Sequence, residues 1–220
     1  MIKAVIFDMD GTLLDSMQGG EANVKAYLKN LKVDLDHPSI PKLAAKGWNL
    51  SADDVNTELG TSFCNKAFWD GYLETHYDMY KYSYPLVAGL EKFLDYLDEQ
   101  GIKYALATAT RLRGAQDVLE RFNLTERFAY VTTEGRVGKT KKFPDIYQHA
   151  AEVMGADETN TIVFEDALYA LKTASKAGFK TIGIKEDYFT ADAEEIKEVA
   201  DLVVEDFNEL LSLINDGYTL

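Results

Sequence analysis

The sequence predicts an α/β protein built on a doubly wound parallel sheet, with an all-helical segment inserted after the first strand. Three observations predict it. Short apolar runs of strand length alternate with stretches of helical spacing. Those runs are apolar throughout rather than at alternate positions, as strands covered by helices on both faces require. Finally, residues 16–85 carry Leu, Ala, Tyr, Trp and Lys at helical spacing with no convincing strand, and are too long for a plain strand-to-helix loop.

In chain order, Ala4–Phe7 is the first strand and runs into Asp8-Met9-Asp10-Gly11-Thr12. The helical insertion follows, with hinges expected near Asp15-Ser16 and Tyr84-Pro85, so residues 1–15 plus 86–220 form the core domain and 16–85 the inserted one. Leu86–Gln100 places Leu90, Phe93, Leu94 and Leu97 on one helical face and stops at Gly101. Tyr104–Ala107 is the next strand, Gln116–Phe122 a helix, and Phe128–Val131 a further strand. Helix Asp145–Met154, strand Thr161–Phe164, helix Ala167–Ala177 and strand Lys180–Ile184 continue the βαβ alternation, with Gly155 and Gly178 closing the two helices. Asp201–Val204 is too short to assign.

Composition narrows the function. The chain has 220 residues, of which 46% are hydrophobic, enough to bury a real core and to exclude a disordered or collagen-like chain. Its 23 Lys and Arg against 37 Asp and Glu give a net charge of −14. With no basic stripe, such a surface repels phosphate backbones, so no nucleic-acid partner is expected. A single cysteine, Cys64, allows no internal disulfide; it has no CxxC partner or neighbouring His and reads as a helix-packing residue. No apolar run reaches membrane-spanning length and the first residues lack a signal-peptide pattern, so a cytoplasmic protein without membrane contact is expected.

The chemistry-bearing residues fall at the predicted strand ends. Asp8 and Asp10 are spaced i, i+2, which in extended backbone sends both carboxylates to one side, and Gly11 permits a sharp turn after them. Thr108-Ala109-Thr110 ends another strand, Glu165-Asp166 a third, and between them lies Gly138-Lys139-Thr140-Lys141-Lys142-Phe143-Pro144-Asp145, a basic cluster in an acidic chain. Each has a plainer account: solvated acids in an Asp-Gly turn, a helix N-cap, first-turn acids, a solubilising loop. Together they put an acid pair, a hydroxyl, a lysine and a further acid at the carboxyl edge of one sheet, where open α/β sheets bind ligands. That set suits phosphoryl transfer. Carboxylates cage Mg²⁺, a hard ion that takes oxygen ligands, while lysine, hydroxyl and backbone N–H groups hold phosphate oxygens.

In this order, Asp8-Met9-Asp10-Gly11-Thr12 with Asp15-Ser16, then Thr108, then the lysine before Phe143-Pro144-Asp145, then Glu165-Asp166, the sequence resembles the four motifs of the haloacid dehalogenase-like hydrolases across the whole core. The insertion between the first and second motifs resembles the helical C1 cap of the phosphoglycolate phosphatase and β-phosphoglucomutase branch. The resemblance implies a Rossmann-like core and Asp8 as a nucleophile that becomes an aspartyl phosphate. It implies Asp10 as general acid and base, and Mg²⁺ held by the Asp8 side chain, the Asp10 backbone carbonyl and Asp166, with Glu165 beside the site. Thr108 and the Ala109 backbone N–H would hold phosphate. The family's lysine stands three residues before the second proline of a Lys-Pro-x-Pro-Asp string, which selects Lys141; Lys142 occupies the place of the first proline, and Lys139 is a neighbouring competitor.

Dehalogenases of this superfamily lack the acid two residues after the nucleophile, so Asp10 favours phosphate chemistry. The expectation is a Mg²⁺-dependent phosphatase acting on a small phosphorylated metabolite such as a sugar phosphate. A phosphomutase and a non-catalytic phosphate-binding protein are the alternatives. In the inserted segment, Tyr72, Tyr77, Tyr80, Tyr82 and Tyr84 with Trp48, Phe63, Phe68 and Trp69 read as packing of a helical bundle, and Lys42 and Lys46 as solvated. His37, His76 and His149 have no carboxylate motif around them and receive no catalytic role.

Overall fold

The structure, a computed structural model, describes residues 1–17, 19–185 and 192–220. It divides into two compact units, Met1–Asp15 with Pro85–Leu220, and Ser16–Tyr84.

The first unit carries a six-stranded parallel sheet: β1 Ala4–Phe7, β2 Lys103–Thr108, β3 Tyr130–Thr133, β4 Thr161–Glu165, β5 Lys180–Ile184 and β6 Leu202–Val204. Their spatial order is β3-β2-β1-β4-β5-β6, so the winding reverses between β1 and β4. The central strand shows why the apolar runs are unbroken. Phe7 meets Phe164 and the helix-borne Phe93 and Phe207 at ring distances of 5.1, 6.2 and 5.9 Å. Ala4 and Ile6 instead join the cluster of Ala105, Ala107, Val163, Ile146, Tyr147 and Ala150. Both faces of β1 are therefore dry, and a polar residue at Ala4, Ile6 or Phe7 would lose water without gaining a partner.

The second unit is helical: α1 Gly19–Asn30, α2 Ile40–Ala44, α3 Ala52–Leu59 and α4 Asn65–Tyr82. Its core gathers Val24, Tyr27, Leu28, Leu43, Val55, Phe68 and Tyr72. The first unit's helices are α5 Leu90–Glu99, α6 Leu112–Arg121, α7 Glu134–Val137, α8 Asp145–Val153, α9 Leu168–Lys176, α10 Ala193–Val199 and α11 Phe207–Asn215. Among the described residues no helix is long and apolar enough to cross a membrane.

Several elements depart from the sequence expectation. Helix α5 begins at Leu90 rather than Leu86, because Leu86 bridges Leu14 and Val87 donates to the Leu13 carbonyl at 3.0 Å, while Gly89 turns at φ +81°. Strand β3 begins at Tyr130 rather than Phe128, whose ring packs 4.9 Å from that of Tyr104. Its apolar character marks core, not strand. Helix α6 starts at Leu112, before Gln116, and Leu202–Val204 is a strand. Cys64 is exposed at the start of α4 and packs no helix interface, and Trp69 and Tyr82 are exposed too. Lys42 and Lys46 are solvated, as expected, and each also pairs with an acid, Glu58 and Asp54.

Candidate active site

Strand β1 delivers Asp8 to the reversal point of the sheet. Its N–H donates to the Phe164 carbonyl at 2.9 Å, so the residue after β1 is fixed against β4. The chain then folds on itself: Leu13 and Leu14 donate to the Met9 carbonyl at 2.9 and 2.8 Å, and Gly11 supplies the φ of +82° that this loop needs. Strand β4 ends in Glu165 and Asp166 alongside. The carboxylates of Asp8, Glu165 and Asp166 can each place an oxygen within 4.8 Å of the others, and all three are buried.

One cation is set among these acids. Lys141, fully enclosed, pairs with Asp8 Oδ1 and places Nζ 2.6 Å from Glu165 Oε1. Its backbone N–H donates to Glu134 Oε1 at 2.7 Å, which ties the lysine loop to α7. Glu165 Oε1 also accepts from the Tyr147 hydroxyl at 2.7 Å. Lys139 lies outside this group, at the surface with Asp145.

The titration behaviour follows from burial. Desolvation raises the Asp8 carboxyl above its ordinary range, against the pull of Lys141 and with a further push from Asp10. Desolvation and the charges of Asp8 and Glu165 raise Asp166 well above it. Glu165 is pushed up to about 7, again chiefly by burial. For Lys141, burial opposes the ammonium but Asp8 and Glu165 outweigh it, so its proton is held more tightly than usual. Three acids facing one ammonium form a hard-oxygen set with surplus negative charge, and a small divalent cation fits that chemistry.

Asp10 is placed differently. Its Oδ2 accepts from the Thr110 hydroxyl at 2.8 Å, at a partly exposed position, and its side chain is not in the buried carboxylate group. Thr108 ends β2, buried, with its Oγ1 accepting from the Thr110 N–H at 3.0 Å; Ala109 follows it and is exposed. Among the residues singled out in the sequence, Asp8, Lys141, Glu165 and Asp166 are thus in one group, while Asp10 and Thr108 are joined through Thr110. Tyr147, Glu134 and the side-chain role of Thr110 escape sequence reading. Tyr147 carries no motif and sits among apolar neighbours on α8, so only its tertiary position shows its use.

The Haloacid dehalogenase-like hydrolase family model matches residues 5–184. The chain belongs to this family. Among similar proteins of this family, N-acetylmuramic acid 6-phosphate phosphatase of Pseudomonas aeruginosa is 24% identical, covering 97% of this chain and 95% of that protein. Phosphoglycolate phosphatase of Neisseria meningitidis is 26% identical over 85% of this chain and 82% of its own. The crystal structure of a β-phosphoglucomutase candidate from Thermotoga maritima shares the haloacid dehalogenase-like fold at a TM-score of 0.81, with 22% identity over 99% of this chain and 100% of that one.

Proposed function

We propose that this haloacid dehalogenase-like protein is a Mg²⁺-dependent phosphatase that hydrolyses a small organic phosphomonoester through an aspartyl phosphate on Asp8. The observation that carries the reading is the different placement of the two acids. Asp8 is buried against Lys141 and two further carboxylates, whereas Asp10 is held by Thr110 at a partly exposed place.

In the proposed reaction an Asp8 oxygen attacks phosphorus as the ester bond breaks, and Asp10 gives its proton to the departing oxygen. Asp10, now ionised, takes a proton from water as that water attacks the aspartyl phosphate, which frees inorganic phosphate and restores Asp8. Lys141, the Thr108 hydroxyl and the Ala109 N–H hold the phosphate oxygens. Mg²⁺ held by Asp8, Asp166 and the Asp10 carbonyl would neutralise charge so that an anionic ester can approach an anionic nucleophile. The names of the curated relatives, phosphatases of a sugar phosphate and of phosphoglycolate, support a small phosphorylated metabolite as substrate. Residues 16–84 are proposed to act as the cap that sets specificity.

Purified protein should release phosphate from p-nitrophenyl phosphate with Mg²⁺ and lose that activity in EDTA. Asp8→Asn should lower kcat by more than about 1,000-fold. An active Asp8→Asn variant, or metal-independent turnover, overturns the proposal. Phosphorus NMR on β-glucose 1-phosphate that shows an isomer in place of free phosphate identifies a mutase instead.

A further inference from the structure

We propose that Tyr147 is a positioning residue for this reaction: its hydroxyl fixes the carboxylate of Glu165 and, through it, holds the ammonium of Lys141 against Asp8. The inference rests on the phosphatase reading above and deepens the same site.

Tyr147 has 0% exposure and belongs to the apolar cluster that includes Ile6, Ala105, Ile146 and Val163. Its ring lies 6.1 Å from that of Phe179. Phenylalanine would fill such a place equally well, and a buried hydroxyl costs free energy unless it is bonded, so the oxygen needs a reason. It donates to Glu165 Oε1 at 2.7 Å, and Lys141 Nζ donates to that same oxygen at 2.6 Å.

Two donors six residues apart, one on α8 and one in the loop before it, therefore converge on one carboxylate oxygen at the end of β4. A carboxylate with one donor keeps rotational freedom about its last torsion; two donors converging on one oxygen fix its plane. Lys141 has three N–H groups, of which Glu165 and Asp8 each accept one, so the direction of the third is set by the other two. The Tyr147 hydroxyl bonds to Glu165 and not to Asp8. It acts by keeping Glu165 from turning, and without it Glu165 and Lys141 can move together away from Asp8. Partners at this remove change activity by roughly 10- to 100-fold when lost.

The test compares Tyr147→Phe, which removes only the oxygen, with Tyr147→Leu, which also removes ring packing. With Mg²⁺ and p-nitrophenyl phosphate, Tyr147→Phe should lower kcat about tenfold and raise KM several-fold, with Tm nearly unchanged. Glu165→Gln should lower kcat at least as far, and Tyr147→Phe added to Glu165→Gln should cost nothing further, because both act through one contact. Calorimetry with inorganic phosphate and Mg²⁺ gives a readout without turnover: phosphate should bind Tyr147→Phe several-fold more weakly. Wild-type kinetics and phosphate affinity in Tyr147→Phe, or effects of the two substitutions that multiply, overturn the inference. If turnover is present and Asp8→Asn abolishes it, such a result removes the role of Tyr147 alone; an active Asp8→Asn variant removes the phosphatase reading itself.

Discussion

In the unit formed by Met1–Asp15 and Pro85–Leu220, the groups withdrawn from water at the carboxyl edge of the sheet include four ionisable ones: Asp8, Lys141, Glu165 and Asp166. In Ser16–Tyr84 they are neutral. There the Tyr27 hydroxyl donates to the Phe68 carbonyl at 2.6 Å, the Tyr72 hydroxyl to the Gly47 carbonyl at 2.7 Å, and His76 Nε2 lies 2.8 Å from the Tyr80 hydroxyl. Neutral hydroxyls bonded like those of Tyr27 and Tyr72 add stability and specify packing, whereas an enclosed group of three acids and one lysine is a poor source of stability. Such a group persists where chemistry uses it, so the contrast separates a working site from a scaffold.

The largest expected effect breaks that contrast at its one cation. Lys141→Met leaves Asp8, Glu165 and Asp166 enclosed without a counter-charge, and metal-free protein should lose about 3–5 kcal/mol in urea denaturation. Saturating Mg²⁺ should return part of that loss, while kcat stays down by at least about 1,000-fold. Lys46→Met is the matching change in the helical unit, where the Lys46–Asp54 pair at 2.8 Å is partly exposed, and it should cost under about 1 kcal/mol. Equal losses from the two substitutions would erase the distinction.

A second contrast is in the sign of the pH dependence. Burial lowers the His76 imidazole to about 4 from 6.5, beside Trp48, Tyr80 and Tyr84 at ring distances of 4.3, 4.2 and 6.2 Å. The unfolded chain then binds this proton first, so the contribution is whole above pH 6.5 and is lost as pH falls toward 4, up to about 3 kcal/mol. The raised carboxyls of Asp8, Glu165 and Asp166 work oppositely in metal-free protein: they favour the folded state at acid pH and oppose it as pH rises through about 7, where Glu165 ionises. Both tryptophans, Trp48 and Trp69, lie in the helical unit, so tryptophan fluorescence reports that unit, and hydrogen exchange in β1 and β4 reports the sheet. Opposite slopes are expected, with His76→Phe flattening the first and Mg²⁺ the second.

The same contrast explains what the sequence reveals. Strands such as Ala4–Phe7 and Thr161–Glu165 are visible because burial on both faces demands uninterrupted apolar residues. Asp8, Asp10, Thr108 and Glu165-Asp166 are visible because they end or closely follow strands of this kind, where the topology gathers strand ends. The Lys139–Lys142 cluster shows that a basic loop is present, but only the fold encloses Lys141 and leaves Lys139 with Asp145 outside. Tyr147 and Glu134 are invisible for a different reason: a tyrosine on an apolar helix face and a glutamate in a short helix carry no local mark of the groups they bond across the fold. The start of α5 was set by the pairing of Leu86 with Leu14, a contact between residues far apart in the chain.

The smallest expected effect sharpens the contrast from the scaffold side. Ser51 caps α3 reciprocally: its Oγ accepts from the Asp54 N–H at 3.1 Å, and Asp54 Oδ2 accepts from the Ser51 N–H at 3.0 Å. Ser51→Ala removes one donor's partner at a helix start and should cost about 1 kcal/mol in urea unfolding followed by tryptophan fluorescence. Asp54→Ala should cost a similar amount, and the double variant less than the sum, because the two bonds form one device. Exchange protection in β1 and β4 should stay unchanged in all three. A loss there of the same size would mean that the sheet and the helical unit unfold as one cooperative body, and the opposite pH slopes would then have to merge into a single curve.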